Sequence, residues 1–165
     1  MLFSQQNAVF PLVEVGATAT GNVELNSVNM ALYDHATFVL QFASTYAYVS
    51  APVLTIESGS SDGADSADVT FHYRLSTGSA ASLSTAAIYS AEATSSALTL
   101  SSAGDYAGHT LILEVDGDEL RSTTAGVDYN WLQVDLGTNV SAGTMAAYAI
   151  MSNPRFQGAS MPVAI

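Results

Sequence analysis

Cysteine is absent from this chain, and so is lysine. Without cysteine there is no thiol nucleophile, no Cys-based zinc site and no disulfide framework, so an apolar core must hold the fold. At 165 residues that is feasible, because a chain of this length buries roughly two-thirds of its extended surface on folding. The missing cysteine does not by itself assign a compartment. Without lysine, Arg74, Arg121 and Arg155 are the only basic residues beside 15 acidic ones, for a formal net charge of −12. That balance disfavours nucleic acid, whose binding rests on Lys and Arg neutralising phosphates. It disfavours anionic membrane surfaces by the same sign and favours a positively charged protein surface. A saline habitat is the other source of acidic chains.

Charge of either sign is scarce: 11% of residues, against about 25% in a typical soluble domain. Alanine, serine and threonine fill the gap, and small uncharged surfaces suit close apposition to neighbouring copies or another protein. Long hydrophobic runs are also missing. No stretch of 18 apolar residues occurs, so no transmembrane helix is expected. Met1 to Gly16 lacks the basic and continuous apolar regions of a secretory signal, so export by that route is not expected. With no internal repeat or dividing linker, one domain is expected: an N-terminal arm and first strand over 1–27, a sandwich over 28–156 and a tail over 157–165.

What the chain does have is a hydrophobic period of two. Val69, Phe71, Tyr73 and Leu75 alternate with polar residues across Asp68 to Ser76, which predicts a strand with one wet face. His109 to Val115 sets Leu111, Leu113 and Val115 against Thr110, Ile112 and Glu114, and Trp131 to Leu136 sets Leu132, Val134 and Leu136 against Trp131, Gln133 and Asp135. Thr37 to Tyr48 reads as one longer strand, with Phe38, Leu40 and Phe42 on one face and Val39 on the other; Val53 to Ser58 and Gly143 to Ser152 complete the set. Between them lie turn formers such as Ser58 to Gly63, Asp116-Gly117-Asp118 and Ser141-Ala142-Gly143. Short strands with this punctuation predict an all-β protein, an antiparallel β-sandwich or jelly-roll-like fold with extended N- and C-terminal arms. Alanine-rich Ser79 to Ala93 is the best helix candidate, yet its serines and threonines favour loop with some strand.

Sequence signatures of chemistry are missing as well. There is no GxGxxG, P-loop, HExxH or GxSxG. His35, His72 and His109 lie far apart; three strand histidines could bind zinc, but unclustered histidines on polar faces are ordinary surface residues. No serine sits in an elbow sequence, and a triad is recognised by geometry rather than spacing. Glu57 to Asp68 and Asp116 to Glu119 gather hard oxygen ligands without EF-hand spacing, which suits solvated turns or a loop holding Ca²⁺. Tyr33, Tyr46, Tyr48, Tyr73, Tyr89, Tyr129, Trp131 and Tyr148 could form a sugar platform, or serve as core and interface anchors. These features predict a protein that is not an enzyme and uses no cofactor or metal. Contact residues are expected at the apolar ends: Leu2, Phe3, Phe10, Val13, Phe156 and Ile165, with Arg155 making a carboxylate pair inside the chain or across an interface.

Val28-Asn29-Met30-Ala31-Leu32-Tyr33-Asp34-His35-Ala36-Thr37-Phe38-Val39-Leu40 resembles the opening of small virion proteins of tailed phages, where a Tyr-Asp pair leads into an Ala-Thr-Phe-Val-Leu strand. The second half is similar too, in Glu114-Val115-Asp116, Glu119-Leu120, Asp128 to Val134 and an alanine-rich last strand closing Ser152-Asn153-Pro154-Arg155-Phe156. The resemblance runs from about Val28 to Phe156, and its motifs are structural and loose. It implies a head-decoration (cement) or other minor virion β-sandwich protein on the capsid surface. It further implies a major capsid protein of HK97-like fold as partner, a homotrimer, and no catalytic residue to carry over. A tail or connector protein is one alternative; a carbohydrate-binding or adhesion module with Trp131 and several tyrosines on one exposed face is another.

Overall fold

The computed structural model describes residues 7–13, 21–63, 66–78, 89–101, 103–120 and 125–155. In chain order its strands are β1 (Ala8–Pro11), β2 (Gly21–Glu24), β3 (Val28–Asn29), β4 (Tyr33–Phe42), β5 (Ala47–Tyr48), β6 (Val53–Gly59), β7 (Ala67–Asp68), β8 (Phe71–Leu75), β9 (Ala93–Ser95), β10 (Ala97–Thr99), β11 (Thr110–Asp116), β12 (Trp131–Ala142) and β13 (Met145–Pro154). One helical turn, Ala103–Tyr106, precedes β11, and a 3₁₀ turn, Gly117–Glu119, follows it.

The strands form two antiparallel sheets packed face to face, a β-sandwich. The first runs β1-β13-β4-β11-β8-β9; the second runs β10-β6-β12-β2, with β3 and β5 also on β12 and β7 on β6. The alternating pattern decides which side chains meet. Phe38, Leu40 and Phe42 of β4, Leu111, Leu113 and Val115 of β11, and Ala147, Ala149 and Met151 of β13 are all buried. They face Leu54 and Ile56 of β6 and Leu132, Val134 and Leu136 of β12, which are completely inaccessible. Fully burying each large apolar side chain is worth about 1.5–3 kcal/mol, so the two inner faces carry the fold.

The alanines of β13 have a packing reason. Ala149 lies beside Phe38 and Ala147 beside Leu40 in the β13–β4 register, so small residues face large ones across the ladder. Bulk at both places would overfill the layer.

Two expected strands prove to be broken where the chain changes sheet. Thr37 to Tyr48 is not one strand: β4 ends at Phe42, a turn closes with Tyr46 N–H donating to the Ala43 carbonyl, and β5 joins the second sheet against β12. Asp68 to Ser76 divides likewise. Val69 N–H donates to the Ile56 carbonyl of β6, whereas His72 onward pairs with β11. The inward period persists across both crossings because the same core receives the side chains from either sheet.

Candidate docking face

Residues paired in register share a face of a sheet, so the outer surface of the six-stranded sheet can be built row by row. Pro11 pairs with Tyr148, Tyr148 with Val39, Val39 with Ile112, and Ile112 with Arg74. The next row is Val9, Ile150, Thr37, Glu114, His72 and Thr94. A third joins Ser152, His35 and Asp116. Apolar side chains therefore collect at the β1–β13–β4 side and reach Ile112, while ionisable ones collect toward β8. Val9 is 52% exposed and Tyr148 43%; Val39, Ile112 and Ile150 are half-buried.

The charged border is tied together across four segments. His35 Nδ1 lies 2.6 Å from Asp116 Oδ1, and its Nε2 lies 3.2 Å from Thr37 Oγ1 and 3.7 Å from Glu114. His72 Nδ1 lies 2.9 Å from Glu92 Oε1, with its Nε2 3.6 Å from Glu119. Arg74 donates to the other Glu92 oxygen at 2.8 Å. Glu119 also accepts the Asp116 N–H at 2.9 Å, which holds the 3₁₀ turn against the strand end. The His72 and Arg74 hydrogen bonds hold the Glu92 carboxyl below the usual carboxylate range. Four carboxylates thus stand against one guanidinium, with two imidazoles among them.

The outer face of the other sheet is hydrophilic in its centre, with Thr55, Glu57, Gln133 and Asp135 on β6 and β12. Glu24 lies opposite Asp135, and Asp68 opposite Glu57, both in direct register. Trp131 lies half-buried on this face beside Asn29 and Gly59.

Only three of the contact residues expected from sequence, Phe10, Val13 and Arg155, fall among the described residues. Leu2, Phe3, Phe156 and Ile165 lie outside the described residues. Phe10 sits in edge strand β1 and is 44% exposed, whereas Val13 is half-buried against the core. Arg155 is held inside the chain: its Nε lies 2.6 Å from Asp34 Oδ1, and Gly117 leaves room for the guanidinium, since a Cβ there would come within 2.9 Å of Nη2. Arg155 also borders an open depression of about 450 Å³ that includes Asp128 and Asn130. Of the acidic loops, Asp62 accepts a hydrogen bond from Ser27, and Asp116 and Glu119 serve the histidines. Among the described residues no three His, Asp or Glu side chains are set to hold a metal ion. His109 Nδ1–H donates to the Ser76 carbonyl, 2.8 Å away.

Sequence reasoning placed Val39 and Ile112 opposite their buried neighbours but did not join them to Tyr148, Ile150 and Val9. The signal was there in the alternation of Met145 to Ser152, muted because alanine occupies both faces of that strand. The chain matches no family model, no curated protein and no solved structure.

Proposed function

We propose that this chain is a structural component of a tailed-phage particle, one that decorates the outer surface of the capsid and stabilises it by bridging capsid subunits. The observation that carries the reading is the outer face of the six-stranded sheet: a solvent-facing apolar area edged by carboxylates on a rigid sandwich. Such a face is built to adhere rather than to react. The resemblance of Val28 to Leu40 and of Ser152 to Phe156 to small virion proteins supports the same reading, and so does the net charge of −12, which favours a basic protein partner. The partner on this reading is a major capsid protein of HK97-like fold. A shell presents many equivalent sites, so modest individual contacts suffice when bridging makes each attachment multivalent.

The test is the copy number of the chain in particles purified from the virus that encodes it, measured by quantitative mass spectrometry against the major capsid protein. A simple high ratio to the capsid subunit is the expected result. A handful of copies, or a number matching tail rings, moves the chain to the tail or connector. Absence from the particle ends the virion reading and gives first place to a carbohydrate-binding or adhesion module.

A further inference from the structure

We infer that the outer face of the six-stranded sheet is the surface by which this chain docks, with Val9, Val39, Ile112, Tyr148 and Ile150 as its centre, and that its partner presents an apolar ridge bordered by Lys and Arg. The inference rests on the virion reading for the identity of that partner, the outer surface of the capsid shell.

The choice among surfaces follows from contrasts within the fold. Contact energy concentrates where apolar side chains are desolvated at the middle of an interface, with a polar rim around them. Only the first sheet offers that arrangement on its outer side among the described residues. The second sheet carries the half-buried carboxylates Glu57 and Asp135 at its middle, each with a like charge opposite it in register, and desolvating those further would be costly.

Strand addition at β1 is a poorer route. Leu12 N–H donates to the Ala147 carbonyl, so by the antiparallel alternation Phe10 and Ala8 also point their amide groups inward, while Val9 and Pro11 point theirs to the open edge. Pro11 has no N–H, which leaves Val9 as the one outward donor of β1. This is how natural edge strands avoid pairing with another chain.

Charge decides the occupant. Asp116, Glu114, Glu119 and Glu92 line one border of the apolar centre, and Arg74 is the only guanidinium among them. A second copy would bring a like border from a chain that itself carries −12. A basic border is attracted over the same distance, and complementary rims chiefly raise the association rate and its salt dependence.

The experiment uses particles that lack the chain and adds back the purified protein, counting bound copies at increasing NaCl from about 50 to about 300 mM, where screening steepens. The variants are V39D/I112D in the apolar centre, E114Q/D116N in the border, and T99D on the other sheet, each checked for folding by circular dichroism. Wild type and T99D are expected to bind alike. V39D/I112D should bind about tenfold or more weakly, and E114Q/D116N should flatten the salt dependence. If V39D/I112D unfolds, the milder Y148S variant, altered at an exposed position, reads the same centre. Wild type that rebinds while folded centre variants rebind equally well overturns the docking face and leaves the virion reading intact. Wild type that does not bind particles overturns both. Sedimentation equilibrium separates the remaining occupant: if V39D/I112D converts an oligomer to a monomer, a second copy covers this face and the basic partner is refuted.

Discussion

At the scale of single residues, two positions show how tightly the sandwich ends are set. Tyr46 is buried beside Phe42, ring centroids 4.7 Å apart, and beside Tyr48 at 6.3 Å. The hydroxyls of Tyr46 and Tyr48 are buried without a hydrogen-bond partner among the described residues. Burial pushes the Tyr46 phenol up to about 12, and the neighbouring Tyr48 adds to it. A phenol raised above its unfolded value contributes stability that is intact below about pH 10 and is lost as pH rises toward about 12, because only the unfolded chain ionises readily in that interval. Y46F should therefore keep or gain up to about 1 kcal/mol at neutral pH, since an unpartnered buried hydroxyl is a cost. It should also lose less stability between pH 10 and 12 than wild type. Urea melts across that range check both statements, and a Y46F protein weaker than wild type at pH 7 would show that the hydroxyl has a partner after all. Gly143 is the second position. Its φ is +123°, and a Cβ there would meet the Tyr46 Cα at 2.7 Å and the Tyr46 nitrogen at 3.2 Å. Backbone cannot swing aside as a side chain does, so G143A should cost about 3 kcal/mol. Gly117 makes a useful contrast, because the atom closest to its added Cβ is the side-chain Nη2 of Arg155 at 2.9 Å, with the Asp34 carbonyl oxygen farther off at 3.3 Å; G117A is expected to cost less than G143A in the same urea assay.

At the scale of elements, the period-two argument can be tested within one strand. Phe38 and Val39 are neighbours on β4, yet Phe38 is wholly buried and Val39 looks outward. F38A should lose about 3–5 kcal/mol, the usual cost of emptying an aromatic site in a core, whereas V39A should change stability by less than about 1 kcal/mol. Equal losses in chemical denaturation would mean that the outer face is covered by something belonging to the fold. The same periodicity makes β4, β6, β11, β13 and the first half of β12 legible in the sequence, since five or more residues give alternation time to declare itself; β12 itself runs past Gly137, a turn former by sequence, as far as Ala142. Periodicity failed at Tyr46 to Tyr48 because Ala43 to Tyr46 is a tight turn made without glycine or proline, so no local signal marked the crossing to the second sheet. Elements of two or three residues, such as β7, β9 and β10, are held by partners remote in sequence, and their own residues carry little preference. The residues of the proposed docking face are harder to read still. Apolar ends drew attention as candidate arms, although Val13 turns inward and Ala8–Pro11 lies in the sheet. Recognising the outer face requires the lateral register of β1, β13, β4 and β11, which long-range pairing sets and no local pattern announces.

At the scale of the whole molecule, the charge that favours a basic partner also strains the free protein. The described guanidiniums are already engaged, Arg74 with Glu92 and Arg155 with Asp34. Both pairs are exposed to solvent, so each contributes little to stability. Against them stand Glu24 facing Asp135 and Glu57 facing Asp68 across the second sheet, with a net charge of −12 spread over the whole. Like charges directly opposed in a ladder cost about 0.2–1 kcal/mol per pair, and the wider repulsion acts beyond contact range in dilute salt. Screening relieves repulsion and weakens attraction together, so the sign of the salt effect reports which dominates. With more opposed carboxylates than engaged guanidiniums, the stability from urea melts should rise on the order of 1 kcal/mol between low salt and about 0.5 M NaCl at pH 7. D68N should take away part of that rise, because it removes one of the opposed charges on an exposed position without touching the core. A stability that falls with NaCl would mean that the attractive pairs govern.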